Sequence, residues 1–159
     1  MTNRHISYRS EVPPAWIDRN GHLNVGYFMV AFDEATTRFF ELCGLDDAHR
    51  RQYAVATFTI ESHATYEREL LEGDPFVVTT QLLEWNDRKV HYYHEMNHES
   101  EGYLAATNEL ISLQVDTAER RSVRFADPIL RNFDRLRPDG EHRPSRIGRV
   151  MGVDARRPG

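Results

Sequence analysis

Residues 24–45 read NVGYFMVAFDEATTRFFELCGL, and their apolar positions recur every three or four residues. This spacing predicts an α-helix over 25–42 with one wide buried face. Asn24 is a suitable N-cap, and Gly44 followed by Leu45 is typical of a helix C-terminus. A helix of about five turns with so broad an apolar face must pack across another layer of the structure.

After residue 54 the apolar residues alternate, and Val, Thr, Tyr, Phe and Ile become frequent. Both features are typical of β-strands. The predicted strands are an early one near 6–14 and later ones at 55–67, 76–85, 88–98 and 103–115. A last short helix is predicted in ADPILRNF, with Asp127 as its cap and Pro128 at its first position.

A long apolar helix among antiparallel strands predicts an α+β fold. In this fold a five- to six-stranded antiparallel sheet wraps around the central helix. Such a sheet leaves exposed edges, and edge-to-edge pairing of two copies covers them. We therefore expect a homodimer or homotetramer with active sites between subunits.

The chain has 159 residues, 40% hydrophobic and 28% charged, as expected for one globular domain. Its formal net charge of −5 disfavours nonspecific binding to nucleic acid or anionic membrane. The sequence shows no signal peptide and no apolar run long enough to span a membrane. The single Cys43 cannot form an internal disulfide. These features predict a cytoplasmic protein with Cys43 as a small core residue.

Composition changes near Arg137, where large apolar residues become scarce and Pro, Gly and Arg frequent. We expect the packed domain to span 1–136 and residues 137–159 to form a flexible or loosely docked tail. The tail contains six arginines. It is therefore locally basic, as either a solvated end or a phosphate contact.

The polar stretch WIDRNGHLN, residues 16–24, immediately precedes the predicted helix. Asp18 in this stretch could satisfy amides of a turn, or it could be the charged group of an active site. Gly21 indicates a backbone angle, or a close approach, that a β-carbon would prevent. Unpaired amides in the first helical turn, at Val25 and Gly26, would point toward a ligand at the helix mouth.

This stretch carries a resemblance to a known family. WIDRNGHLNVGYFMVAFDEAT resembles the first motif of hotdog-fold acyl-CoA thioesterases of the 4-hydroxybenzoyl-CoA thioesterase type. YERELLEGDPFVVTTQLLEW is similar to the strand, turn and strand that follow, and LAATNELISLQVD to the family's last strand. The resemblance covers about residues 5 to 130. Within the family, WIDRNGHLN with YEREL most resembles the betainyl-CoA thioesterase-like branch.

Thioester hydrolysis is chemically undemanding, because the carbonyl is poorly resonance-stabilised and a thiolate leaves easily. Asp18 could act as general base on water or attack the carbonyl itself. The resemblance implies that the oxyanion donor is the Val25 amide. His22 could orient Asp18 or touch substrate, with a structural histidine as an equal alternative. Asn24 is a candidate for the site, although a helix cap explains it better.

Coenzyme A needs cations for its phosphates, and Arg88 and Lys89 stand where a hairpin turn enters a strand. The resemblance places CoA-phosphate ligands in this segment; an ordinary charged turn is the alternative. For the acyl group, several side chains could form a cage for a quaternary ammonium, or some could simply fill the core around a generic apolar pocket. These candidates are Trp16, Tyr27, Phe28 and Tyr66, with Glu67 or Glu69 adding opposite charge.

No metal and no cofactor is expected, apart from coenzyme A as part of the substrate. His91, His94 and His98 invite a metal interpretation, but His91 should face away from the other two on a strand. A hotdog hydratase or dehydratase and a non-catalytic acyl-CoA-binding protein remain as alternative functions. A thiol-release assay distinguishes hydrolysis from both.

Overall fold

A computed structural model describes residues 4–138 and 143–152 of the chain. A short 3₁₀ turn at Pro14–Trp16 follows the first strand. The strands are β1 (His5–Glu11), β2 (Val55–Tyr66), β3 (Pro75–Trp85), β4 (Lys89–His98) and β5 (Leu104–Asp116). The helices are α1 (Val25–Leu42), α2 (Asp47–Tyr53) and α3 (Asp127–Leu136).

The strands form one antiparallel sheet in the order β1-β3-β4-β5-β2. Helix α1 packs against one face of this sheet, which we call the inner face; the opposite side is the outer face. The predicted α+β architecture is confirmed, with five strands within 4–138 and 143–152. Strand β2 lies at one edge of the sheet, and β1 lies at the other.

The core lies between α1 and the inner face, and it has two halves. Phe28 and Phe32 belong to the half near the start of α1, together with Leu70 and Met96. The other half surrounds Phe39 near the end of the helix. It includes side chains from β3, β4 and α3: Leu82, Val90, Tyr92, Ile129 and Phe133. The apolar face that the sequence predicts for α1 is thus the face that packs on the sheet.

The polar side chain of His94 is fully enclosed in this core. His94 has no exposed surface and lies parallel to the Phe32 ring. Its Nε2 is 2.9 Å from the Thr36 hydroxyl and its Nδ1 is 2.8 Å from that of Thr80. Burial lowers the pKa of His94 to about 3, because the charged form would lose its hydration. The histidine therefore links α1 to the sheet as a neutral, hydrogen-bonded group.

Two details of the helices differ from the sequence-based expectation. Helix α2 was not predicted, since its sequence DAHRRQY lacks an apolar stripe; the Asp46 side chain caps it by accepting the His49 N–H at 2.8 Å. Asp127 is the first residue of α3 rather than its cap, and Ala126 occupies the cap position. The Asp127 carboxylate instead accepts a hydrogen bond from Arg124 at 2.7 Å.

Helix α3 ends at Leu136. Of the tail predicted for 137–159, residues 139–142 and 153–159 lie outside the described residues. Residues 143–152 lie against the outer face of the sheet, where the Gly148 N–H donates to the Glu109 carboxylate at 2.8 Å. In the portion of the chain that the structure describes, no helix combines the length and apolar character that a membrane span requires.

Candidate active site

The loop that leads into α1 is a small hairpin held by backbone hydrogen bonds. Ile17 and Leu23 form an antiparallel bridge, and the Asp18 N–H donates to the His22 carbonyl at 3.0 Å. The Leu23 N–H donates to the Leu70 carbonyl at 2.8 Å, which fastens the hairpin to the segment after β2. The backbone of Asp18 is thereby fixed close to the start of α1.

Gly21 closes this hairpin. Its N–H donates to the Asp18 carbonyl at 3.0 Å, and its φ is +84°. Residues with side chains rarely adopt this left-handed conformation. A β-carbon at Gly21 would meet no atom within 4 Å. Of the two explanations that the sequence offers for this glycine, the structure supports the backbone angle.

The Asp18 side chain is 19% exposed, and its two oxygens differ in environment. Oδ1 accepts the Asn20 N–H at 2.8 Å. The His22 Nδ1 is 3.9 Å from the same oxygen, which is too far for a hydrogen bond. Among the described residues, nothing donates to Oδ2. One oxygen is therefore held by the turn, and the other is left to accept a proton or to attack a carbonyl.

The two amides at the start of α1 also differ. The Asn24 side chain accepts the Gly26 N–H at 2.9 Å, so Asn24 is the N-cap and the Gly26 amide is engaged. The Val25 N–H makes no hydrogen bond with any described residue. The Val25 side chain is 56% exposed, which leaves the helix N-terminus accessible. Of these two amides, that of Val25 is therefore the unengaged one.

Two pairs of aromatic rings flank the start of α1. Trp16 and Tyr27 stack with ring centres 5.3 Å apart, and Phe28 meets Tyr66 edge-on at 5.4 Å. Phe28 is buried in the core, whereas Tyr27 is 37% and Tyr66 47% exposed. The two tyrosines are therefore the rings that a ligand could reach, with Trp16 and Phe28 behind them.

Glu67 is not brought together with these rings. The paired residues His63–Glu109 and Thr65–Thr107 lie on the outer face of the sheet. Because successive strand residues alternate between faces, Glu67 also points to the outer face. The Glu67 carboxylate is 2.5 Å from the Arg146 guanidinium of the tail. Its charge is therefore compensated on the outer face, on the opposite side of the sheet from Phe28. No local spacing in the sequence indicates this ion pair.

Arg88 and Lys89 lie at the other end of the sheet from Asp18. Lys89 pairs with Leu113 of β5. Eight residues before Leu113 on the same strand, the Ala105 carbonyl accepts the Glu67 N–H at the end of the sheet near Asp18. Eight strand residues span roughly 27 Å. The Arg88 guanidinium also donates to the Ser122 carbonyl and hydroxyl at 3.1 Å. Within one subunit, these cations are therefore far from the carboxylate.

The remaining candidates for metal binding or nucleophilic chemistry are structural. His91 lies on the outer face between Glu84 and Glu109, at 3.2 and 2.8 Å, and so points away from His94 as predicted. Over 4–138 and 143–152, no group of His, Cys, Asp or Glu has a metal-binding arrangement. Burial raises the pKa of the Cys43 thiol to about 12, so this residue is a core side chain rather than a nucleophile.

Comparison with known proteins shows one consistent relationship. Residues 12–133 match the thioesterase-like superfamily. The chain is 31% identical over 157 residues to a betainyl-CoA thioesterase of Pseudomonas aeruginosa, covering 96% of this chain and 98% of that protein. It is 29% identical over 134 residues to an L-carnitine dehydrogenase/betainyl-CoA thioesterase of Agrobacterium fabrum, covering 84% of this chain and 27% of that longer protein.

A solved structure extends the likeness to three dimensions. A Staphylococcus aureus protein in complex with CoA superimposes with a TM-score of 0.87 and 26% sequence identity, covering 96% of both chains. This similarity confirms the hotdog fold that the sequence motifs imply. Because the family match extends over most of the sequence, the chain belongs to the thioesterase-like superfamily.

Proposed function

We propose that the protein hydrolyses acyl-CoA thioesters to the free acid and CoA. The observation that carries this proposal is the Asp18 carboxylate, with one oxygen free of described donors, in the hairpin that leads directly into a helix start whose Val25 amide is unengaged. The similarity to a betainyl-CoA thioesterase over nearly the whole chain supports it independently.

Asp18 and the start of α1 together supply what thioester hydrolysis requires. As general base, Oδ2 takes a proton from water, and the water oxygen attacks the carbonyl carbon. As nucleophile, Oδ2 forms the new bond itself, and water later cleaves the resulting anhydride. In both routes the Val25 N–H and the helix dipole stabilise the oxyanion. In both routes the C–S bond breaks when this oxyanion collapses, and CoA leaves as the thiolate. In the nucleophilic route this step forms the anhydride that water later cleaves.

Assembly of two subunits would bring Arg88 and Lys89, the residues predicted to contact the CoA phosphates, to this site. Edge strand β2 exposes Phe58 and Ile60 near its middle, 48% and 49% accessible. Antiparallel pairing of two such strands about their middle places the Val55 end of one beside the Tyr66 end of the other. Arg88 and Lys89 would then reach the site of the neighbouring subunit. We propose that the protein is at least a dimer with shared sites.

A mixed dimer tests this arrangement. One subunit carries Asp18→Asn, and the other carries Arg88→Ala with Lys89→Ala. If the cations act across the interface, this dimer contains one intact site and retains wild-type KM with about half the kcat. The Arg88→Ala/Lys89→Ala homodimer should show a raised KM with little change in kcat, most clearly at low ionic strength.

The two homodimers serve as controls for the mixed dimer. If the cations acted within their own subunit, the mixed dimer would contain no intact site and would show the raised KM. An active monomer in light scattering would contradict the shared-site proposal altogether.

The acyl preference is tested with two matched substrates. We propose that Tyr27 and Tyr66 contact a quaternary ammonium, with each cation–π contact contributing about 0.5–2 kcal/mol. The kcat/KM for betainyl-CoA should then exceed that for its neutral isostere 3,3-dimethylbutyryl-CoA by about tenfold, equivalent to about 1.4 kcal/mol. Tyr66→Leu should reduce this ratio.

Tyr53→Leu is the matched control, because Tyr53 is a similarly exposed tyrosine at the end of α2. It should leave the ratio unchanged. Equal rates for the two esters would favour a generic apolar pocket while leaving hydrolysis itself supported. If thiol release is absent and the acyl chain is hydrated instead, the protein is a hydratase; binding with neither reaction indicates a non-catalytic acyl-CoA-binding protein.

A further inference from the structure

Two adjoining cavities lie between the tail and the outer face of the sheet. Their volumes are about 400 and 260 Å³, and both are lined by His63 of β2 and by Arg149 and Met151 of the tail. Together they form a groove that follows edge strand β2, which we call the tail groove. Its size is suitable for a small-molecule ligand.

One end of the tail groove lies beside the candidate active site. Tyr66 lines the smaller cavity, and its ring contacts Phe28 in the first turn of α1. His63 and Tyr66 are three strand residues apart, which corresponds to about 10 Å. A ligand in the groove could therefore extend around the end of β2 toward Asp18. Pairing of two β2 edges in the plane of the sheet would leave this face open.

The charges around the groove leave one cation uncompensated. Arg146 pairs with Glu67 at 2.5 Å. Glu109 accepts hydrogen bonds from the Gly148 N–H and interacts with His91 at 2.8 Å. Arg149, by contrast, makes no ion pair or side-chain hydrogen bond with any described residue. As far as the described residues show, the groove thus presents the Arg149 guanidinium to a ligand without a competing partner.

The anionic part of such a ligand would bind at the Tyr66 end of the groove. Glu67 lines the smaller cavity at the Tyr66 end, but its charge is compensated by Arg146. Glu61 lines the larger cavity at the end away from Tyr66 and would repel an anion there. A guanidinium forms strong, directional hydrogen bonds with phosphate oxygens. A ring N–H of His63 would add a second donor.

We propose that the tail groove binds the phosphorylated nucleotide end of coenzyme A, with Arg149 as its principal phosphate ligand. This inference rests on the proposed acyl-CoA hydrolase function and adds a binding element to it from the same subunit. The tail is then part of the substrate site. The pantetheine arm runs from the groove past Tyr66 to the start of α1.

The test compares an acyl-CoA with the acyl-pantetheine thioester that lacks the nucleotide. Arg149→Gln should raise KM for the acyl-CoA about tenfold with kcat nearly unchanged, because the phosphate contact is equal in the ground and transition states. The acyl-pantetheine should be hydrolysed equally by the variant and the wild type. Arg143→Gln is the matched control, since it removes the same charge from an exposed tail position outside the groove.

A binding measurement keeps this test independent of turnover. Calorimetry with adenosine 3′,5′-bisphosphate should show binding to the wild type and to Arg143→Gln, and at least about tenfold weaker binding to Arg149→Gln. Equal binding to all three proteins, or an equal KM change for both thioesters, would overturn the proposal. If the wild type binds the bisphosphate but hydrolyses neither thioester, the hydrolase function fails and the nucleotide site stands.

Discussion

Asp18→Asn is expected to lower kcat for acyl-CoA hydrolysis at least about a hundredfold, the usual scale for a positioned acid or base. This corresponds to about 2.7 kcal/mol of transition-state stabilisation. The amide is nearly isosteric, and its oxygen can still accept the Asn20 N–H that Oδ1 accepts at 2.8 Å. It can neither take a proton from water nor attack the carbonyl. Thiol-release kinetics measure the effect.

Asp47→Asn is the matched control, since that carboxylate lies on α2 and is 75% exposed. It should retain wild-type kcat, and both variants should unfold at the wild-type temperature. Near-wild-type turnover by folded Asp18→Asn would falsify the assignment of Asp18. Mass spectrometry of a rapidly quenched wild-type reaction separates the two routes, because only nucleophilic attack leaves an acyl group on Asp18.

Acid is expected to destabilise the fold through His94. Burial holds the pKa of His94 at about 3, whereas the pKa of an exposed histidine is about 6.5. Below pH 6.5 the unfolded chain therefore binds a proton that the folded chain excludes. The free energy of unfolding therefore decreases as the pH is lowered, by up to about 1.4 kcal/mol per pH unit. This decrease ends near pH 3, where the folded chain also binds the proton. Between pH 7 and pH 4.5, His94 should lower the free energy of unfolding by roughly 2–3 kcal/mol.

Urea unfolding of the wild type and of His94→Gln at both pH values isolates this contribution. Glutamine can hydrogen-bond to Thr36 and Thr80 but does not titrate, so the pH dependence should be smaller in the variant by that amount. His63→Gln removes a half-buried histidine outside the core and should keep the wild-type dependence. The same pH dependence in wild type and His94→Gln would contradict the role assigned to the buried ring.

Local sequence patterns were sufficient for the elements that surround the site. The 3.6-residue period over 25–42 and the cap at Asn24 are both found in α1. Such features depend on residues three or four positions apart, which contact one another in any helix. The family motif around Asp18 and Val25 was recognisable for the same reason, because the eight consecutive residues from Asp18 to Val25 form one hairpin and helix start.

The sequence was a poorer guide where an element has no regular apolar pattern. It was also a poorer guide where the position of a residue depends on parts of the chain that are distant in sequence. Helix α2 has no apolar stripe, so periodicity could not reveal it. The resemblance implies CoA-phosphate ligands at Arg88 and Lys89, but strand direction places these residues at the end of the sheet far from Asp18. Under the proposed function, they would reach a site only in a neighbouring subunit.

The tertiary structure alone decided which side chains share an environment. Glu67 faces Arg146, 79 residues later in the chain, rather than the ring of its neighbour Tyr66. Contacts between such distant residues follow from the packing of the tail on the sheet, and no local period encodes that packing.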